Sequence, residues 1–181
     1  MKQKAYDWMT AVPVATFDLE GSFEDTYGVG SQPYENLTNC TAAIYASYLL
    51  KQDNLSDKDF EDAVDMIRLS EDQFVHWNYL PDDVTGVREI STPCTFEQYR
   101  CYEPVDDSSC NMVNAYLDLY AITKNPLLLE KARALVDHLT ILQDQVTGMI
   151  ISIDEPVEYF WTECNYISFT TMMRLAEVLG E

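Results

Sequence analysis

The feature that most constrains the fold is a pair of helices that repeats along the chain. The first predicted helix, from Asn36, is apolar around nearly its whole circumference, as expected for a helix buried on most sides. The second, from Asp57 to Trp77, is apolar on one side, and Ser56 with the acids after it suits a helix start. One buried inner helix followed by one amphipathic outer helix is therefore the predicted structural unit.

The same unit recurs downstream. Ser108 to Thr123 predicts a second inner helix, Pro126 to Leu142 its outer partner, and Thr162 to Leu179 a third inner helix ending at Gly180. A cysteine stands near the start of each inner helix, at Cys40, Cys110 and Cys164. These cysteines are 70 and 54 residues apart. Helical solenoids commonly repeat at about 34 to 47 residues, so the longer spacing favours a closed α/α toroid over an open array.

The predicted fold class is all-α, with repeated helical hairpins forming a partial, half α/α toroid in a single domain over residues 1–181. Five helices and a possible short one at Ala5 to Met9 are about half of what six hairpins need. The chain is then a piece lacking an N-terminal half, a truncated inactive descendant, or a protomer that completes its ring by pairing. Because a half ring exposes an apolar edge, we expect a homo-oligomer in the last case.

The charge of the chain restricts its partners. Eleven basic and 31 acidic residues give a net charge of −20, which repels phosphate backbones and anionic lipid surfaces. We therefore expect neither nucleic acid nor membrane as a partner. The opening MKQKAYDWMT lacks the apolar core of a signal peptide, so the expected location is cytoplasmic as written.

Cysteine and histidine usage argues against a cofactor. Five cysteines without C-x-x-C spacing favour reduced thiols over a disulfide framework or a zinc site. His76 and His138 lie inside helical patterns, where structural roles are expected. We expect no metal and no cofactor; Asp82 and Asp83 would be the preferred donors if a metal did bind.

The long connections all lead into inner helices, whereas short turns lead into outer ones, so the long loops should gather at one end. An aromatic residue and an acid precede each inner helix: Tyr34 with Glu35, Tyr102 with Glu103, and Trp161 with Glu163. Aromatic rings pack on the C–H face of a sugar, and carboxylates bind its hydroxyls and act as general acid or base. The alternative is that the rings plug the end of the core while the acids cap helices.

Three stretches make most of the chain, about residues 20–180, similar to the C-terminal half of bacterial six-hairpin glycosidase-like proteins. They are G-x-F-E-D from Gly21, E-Q-Y-x-C-Y-x-P-x-D from Glu97, and T-x-N-P-x-x-L-x-K-A-x-x-L from Thr123. The resemblance implies an (α/α)6 barrel that takes a carbohydrate at its mouth.

The resemblance implies most of the site residues, and Tyr34 is added because it is one of the aromatic residues ahead of an inner helix. The expected catalytic acids are Glu97, Glu103, Asp106, Glu24 and Asp25. The expected substrate-binding residues are Tyr99, Tyr102, Tyr34, Trp161 and Glu163. Which carboxylate would be acid and which base stays open, because that depends on their separation.

A surplus of carboxylates suits an anionic uronate badly, so hydrolysis of a neutral glycan is preferred over a lyase reaction. The alternative function is a non-catalytic helical-repeat module that binds a protein.

Overall fold

The computed structural model describes residues 3–4, 7, 23–24, 33–34, 39–78, 91–97, 104–152 and 160–180. Five helices with defined bounds lie in these ranges: α1 (Asn39–Leu50), α2 (Asp57–Phe74), α3 (Asp106–Thr123), α4 (Pro126–Ile141) and α5 (Thr162–Leu179). Two-residue strands form two antiparallel pairs, β1 (Phe23–Glu24) with β2 (Pro33–Tyr34) and β3 (Val75–His76) with β4 (Cys94–Thr95). The predicted all-α class is confirmed.

Most helix bounds follow their local signals. Helix α5 has the predicted bounds and ends where Gly180 takes a left-handed φ of 80°. Helix α2 begins after Ser56, whose side chain accepts a hydrogen bond from the Asp59 N–H at 3.1 Å. Asn125 caps α4 in the same way, and Pro126 occupies its first turn.

Three helix bounds differ from the prediction. Helix α2 ends at Phe74 rather than Trp77, because the next two residues leave the helix to pair as β3 with β4. Helix α3 begins at Asp106, two residues before the predicted start. Helix α4 ends at Ile141, one residue before the predicted end.

Two predicted segments lie wholly or partly outside the described residues. Of the possible short helix at Ala5 to Met9, only Asp7 is described, and it is helical. The described part of α1 begins at Asn39, so its predicted first turn from Asn36 lies outside.

The helices form two layers. Helices α1, α3 and α5 lie side by side in one layer, and α2 and α4 form the second, with α3 in contact with all four others. Small residues allow the close approach of α1, since Ala42, Ala43 and Ala46 are fully buried. Tyr116 of α3 is also fully buried and is among the largest side chains of the core. Among the described helices, none has both the length and the apolar character needed to cross a bilayer.

A buried carboxylate joins the three helices of the first layer. Asp118 of α3 is only 6% exposed, and its Oδ2 lies 2.9 Å from Nζ of Lys51, just after α1. Its Oδ1 accepts a hydrogen bond from Nη2 of Arg174 on α5. Nη1 of Arg174 also donates to Asn114 Oδ1 at 2.8 Å, and Asn114 Nδ2 donates to Thr171 Oγ1 at 2.9 Å. A charge held away from water needs such partners, so this network fixes α1 and α5 against α3.

We predict that Arg174→Met destabilises the protein by about 2 kcal/mol, since Asp118 would keep only the more exposed Lys51 as a partner. Urea denaturation measures the change. Arg133→Met is the matched control, because Arg133 is exposed on α4 and removing it changes the net charge equally. Equal stability of the two variants would contradict a role for the network.

Candidate functional site

The β3–β4 pair holds Glu97 beside the start of α3. The ring of His76 packs on that of Phe96 with centroids 4.3 Å apart, and the Phe96 N–H donates to the carbonyl of Phe74 at 2.9 Å. After the connecting loop, the Val105 N–H donates to the Thr95 carbonyl at 3.3 Å. Residue 97 and the first residue of α3 are thereby anchored to the same two-stranded element.

Asp106, the first residue of α3, is a buried carboxyl group with defined partners. It is 4% exposed; its Oδ2 accepts a hydrogen bond from Ser168 Oγ at 3.0 Å, and its Oδ1 accepts one from the Asp107 N–H at 2.9 Å. Burial raises the pKa of Asp106 to about 6, although the Ser168 hydroxyl opposes that shift. At pH 7 this carboxyl group is therefore mostly, but not fully, ionised.

Glu97 and Asp107 are two further carboxyl groups near Asp106, and both are more accessible than Asp106. Both side chains are half-buried. Burial, together with the negative charge of Asp107, raises the pKa of Glu97. Asp107 also raises the pKa of Asp106, so its charge acts on both neighbours.

The start of α5 lies at the same end of the layer. The Asp106 N–H donates to the carbonyl of Ser152 at 3.3 Å, and the Trp161 N–H donates to Ser152 Oγ at 3.2 Å. Ser152 therefore connects the starts of α3 and α5. Trp161, the N-cap residue of α5, is 45% exposed, and Glu163 in the first turn of α5 is also exposed. We call Glu97, Asp107 and Trp161 the rim cluster.

The structure describes only part of the site predicted from the sequence. Glu97, Asp106, Trp161 and Glu163 are described and lie at the same end of the helices. The other predicted acids Glu103 and Asp25, and the predicted binding residues Tyr99 and Tyr102, lie outside the described residues. Of Glu24 and Tyr34 the structure gives the backbone pairing of β1 with β2.

Behind Asp106 is a small cavity of about 30 Å³, lined among others by His138 and Ser109. This volume holds one or two waters and no sugar ring. His138 is buried, and burial lowers its pKa, so its imidazole is neutral at pH 7. Among the acids at this end of the layer, the half-buried Glu97 and Asp107 are therefore more accessible to a molecule of that size than Asp106.

The neighbouring cysteine thiols are protonated and of low reactivity. Cys110 donates to Ser168 Oγ at 3.4 Å, and burial raises the pKa of both Cys110 and Cys164 to about 12. Both cysteines and Cys94 are free thiols. Protonated thiols are poor nucleophiles and poor metal ligands.

No metal centre is present among the described side chains, where no group of three or more His, Cys, Asp or Glu residues is arranged to hold an ion. The possible donors Asp82 and Asp83 lie outside the described residues.

Three residues that complete the site were not selected from the sequence: Asp107, Ser152 and Ser168. The only sequence signal at Asp107 is its position in the first turn of a predicted helix, and an acid there is equally expected for helix capping. Ser168 follows Cys164 by four residues and so shares its face of α5, but nothing local shows that this face meets Asp106. Ser152 lies in a loop without a sequence signal.

We predict that Asp106→Asn changes the pH dependence of stability. The folded-state pKa of about 6 lies above the ordinary value of 3.8, so the wild type is relatively most stable below pH 4. It loses up to about 3 kcal/mol as the pH rises through 6, whereas the asparagine variant cannot ionise. Denaturant unfolding between pH 4 and 8 measures the difference.

Ser168→Ala is the companion variant for this experiment. Removing the hydroxyl that donates to Asp106 should raise the pKa of this carboxyl group further and move the loss of stability to higher pH. Parallel pH profiles of the wild type and Asp106→Asn would show that Asp106 does not titrate in this range.

No protein-family model matches the chain, and no curated protein matches its sequence. The similarity to six-hairpin glycosidase-like proteins therefore rests on the three sequence stretches given above.

Proposed function

We propose that this chain is a carbohydrate-processing domain related to glycoside hydrolases, and that it takes a neutral glycan at the rim cluster. The observation that carries the proposal is the electrostatic coupling of Glu97 with Asp107. Burial and the neighbouring charge of Asp107 both raise the pKa of Glu97, and a carboxyl group with a raised pKa beside another carboxyl group suits a general acid. Such a pair supplies the general acid and the base of glycoside hydrolysis.

Each member of the rim cluster has a distinct role in this proposal. Glu97, with its raised pKa, is the acid that protonates the glycosidic oxygen. Asp107 is the carboxylate that activates water or attacks the sugar. Trp161 offers an exposed ring to the C–H face of the sugar.

Asp106 acts indirectly in this proposal, as a positioning residue. It is buried, and its Oδ1 accepts the hydrogen bond of the Asp107 N–H, which orients the backbone of its neighbour. Ser168 and Ser152 in turn fix Asp106.

We also propose that the helices form part of an α/α toroid, with α1, α3 and α5 inside and α2 and α4 outside. Two observations support this arrangement. The layer of three and the layer of two match the predicted alternation of inner and outer helices. The starts of α3 and α5 lie together at Ser152, and the end of α1 lies beside the later turns of both helices at Asp118.

We predict that Glu97→Gln lowers kcat for a neutral oligosaccharide by about a hundredfold or more, with unchanged melting temperature, because the acid is lost and the shape is kept. A panel of neutral oligosaccharides is assayed by product analysis. Glu177→Gln makes the same chemical change near the other end of α5 and should retain activity.

Binding tests the proposal separately from turnover. Trp161→Ala should weaken glycan binding about tenfold, or about 1.4 kcal/mol, whereas Trp161→Phe should retain most of it. The absence of binding to any glycan on an array would contradict the proposal. Unfolding of Glu97→Gln would contradict it as well and would favour a structural role for the acids.

A second candidate function, a protein-interaction module that also pairs with itself, is favoured by an apolar stripe on α5. Tyr166, Phe169 and Met173 are 69%, 41% and 65% exposed and follow one another at helical spacing. Large apolar side chains grouped on one exposed face commonly mark an interaction surface.

We predict that the chain sediments as a dimer or larger assembly at micromolar concentration, and that Met173→Glu shifts it to monomer, because a charge would be buried in the interface. Ile141→Glu is the control, since Ile141 is 75% exposed on α4 in the other layer. A monodisperse wild-type monomer would contradict self-association.

A further inference from the structure

A separate groove lies between α1, α3 and α5 in the part of the chain that the structure describes. Asn111 and Asn114 of α3 line its floor; α1 and α5 form its walls. Its volume is about 480 Å³, within the range of about 300–1,000 Å³ usual for small-molecule sites. The groove contains none of the residues of the rim cluster.

The charge at one end of the groove differs in sign from that of the chain. Lys51 and Arg174 both line the groove, and Asp118 between them is the carboxylate they share. Among these three groups, two cations face one buried anion, which leaves one positive charge over in a chain of net charge −20. Lys51 also lines a neighbouring pocket with Asp53 and Asp59, whereas the described residues that line this groove include no acid. Lys51 is 58% exposed, so its ammonium group has donors to spare for a ligand.

Neutral polar groups line the rest of the groove. The Oγ of Ser47 on the α1 wall is buried and has no hydrogen-bond partner among the described residues. Asn111 presents an amide that both donates and accepts, and Ile44, 54% exposed, adds an apolar wall. Of the five buried side-chain atoms without a hydrogen-bond partner in the described chain, the Ser47 Oγ is the one whose residue lines this groove, where a ligand hydroxyl would supply the partner.

We propose that this groove binds a small hydroxylated monocarboxylate, a sugar acid, with its carboxylate at Lys51 and Arg174 and its hydroxyls towards Ser47 and Asn111. A single excess positive charge matches one carboxylate better than a phosphate, which carries about −1.5 to −2. The surrounding negative field disfavours multiply charged anions further. The proposal does not rest on glycan hydrolysis at the rim cluster.

The orientation follows from the other charge near the groove. Asp107 lies one turn before Asn111, and about 16 Å of helix separates it from Asp118. An anion is repelled at the Asp107 end and attracted at the Asp118 end. The carboxylate therefore binds at the later turns of α3.

Titration calorimetry of the intact chain with D-glucuronate tests this site, with D-glucose and glucose 6-phosphate as matched probes. Glucuronate should bind at least tenfold more tightly than either. Absence of glucuronate binding at millimolar concentration, equal binding of glucose, or tighter binding of the phosphate would each overturn the proposal. These comparisons use the wild type and need no variant.

Variants then locate the site. Lys51→Gln and Asn111→Leu should each weaken glucuronate binding at least tenfold, with melting temperatures recorded for both. Arg133→Gln removes the same charge from the other layer and should leave binding unchanged. Glucuronate binding that survives both groove variants, or is lost in Glu97→Gln instead, would overturn the assignment to this groove.

Discussion

The arrangement of the helices depends on one carboxylate that is removed from water. Asp118 on the central helix is almost fully buried, and an isolated charge in that position would be strongly unfavourable. Lys51, just after α1, and Arg174 of α5 compensate this charge, so the end of α1 and the later turns of α5 are both fixed against α3 at Asp118. Apolar packing alone would hold these helices together but would not set their relative positions so narrowly.

Both proposed sites depend on that arrangement. The later turns of α3 and α5 are joined at Asp118, and their earlier turns are joined where Ser168 donates to Asp106. The same three helices also line a groove, and the two cations of that groove belong to the network that joins the helices. Stability and any binding in the groove are thus coupled through Arg174.

The local parts of the fold could be predicted from the sequence, and the non-local parts could not. Gly180 and Ser56 are caps whose effect stays within a few residues, and the helix ends beside them were predicted. The end of α2 was not, since Val75 leaves the helix to pair with Thr95, 20 residues away. A non-local contact also decides which acid at the start of α3 is buried. Asp106 is buried against Ser168 of α5, whereas its neighbour Asp107 is half-buried.

The unequal packing of the helices has a dynamic consequence. Helix α3 touches every other helix of the described chain, so we expect the amides in its middle to be among the slowest to exchange with solvent. Among the described helices, α5 packs chiefly on α3 and more lightly on α4, so we expect its local opening to cost less free energy than that of α3. Both proposed sites have one wall on α5, and a local opening of that helix would admit a bulky molecule without global unfolding.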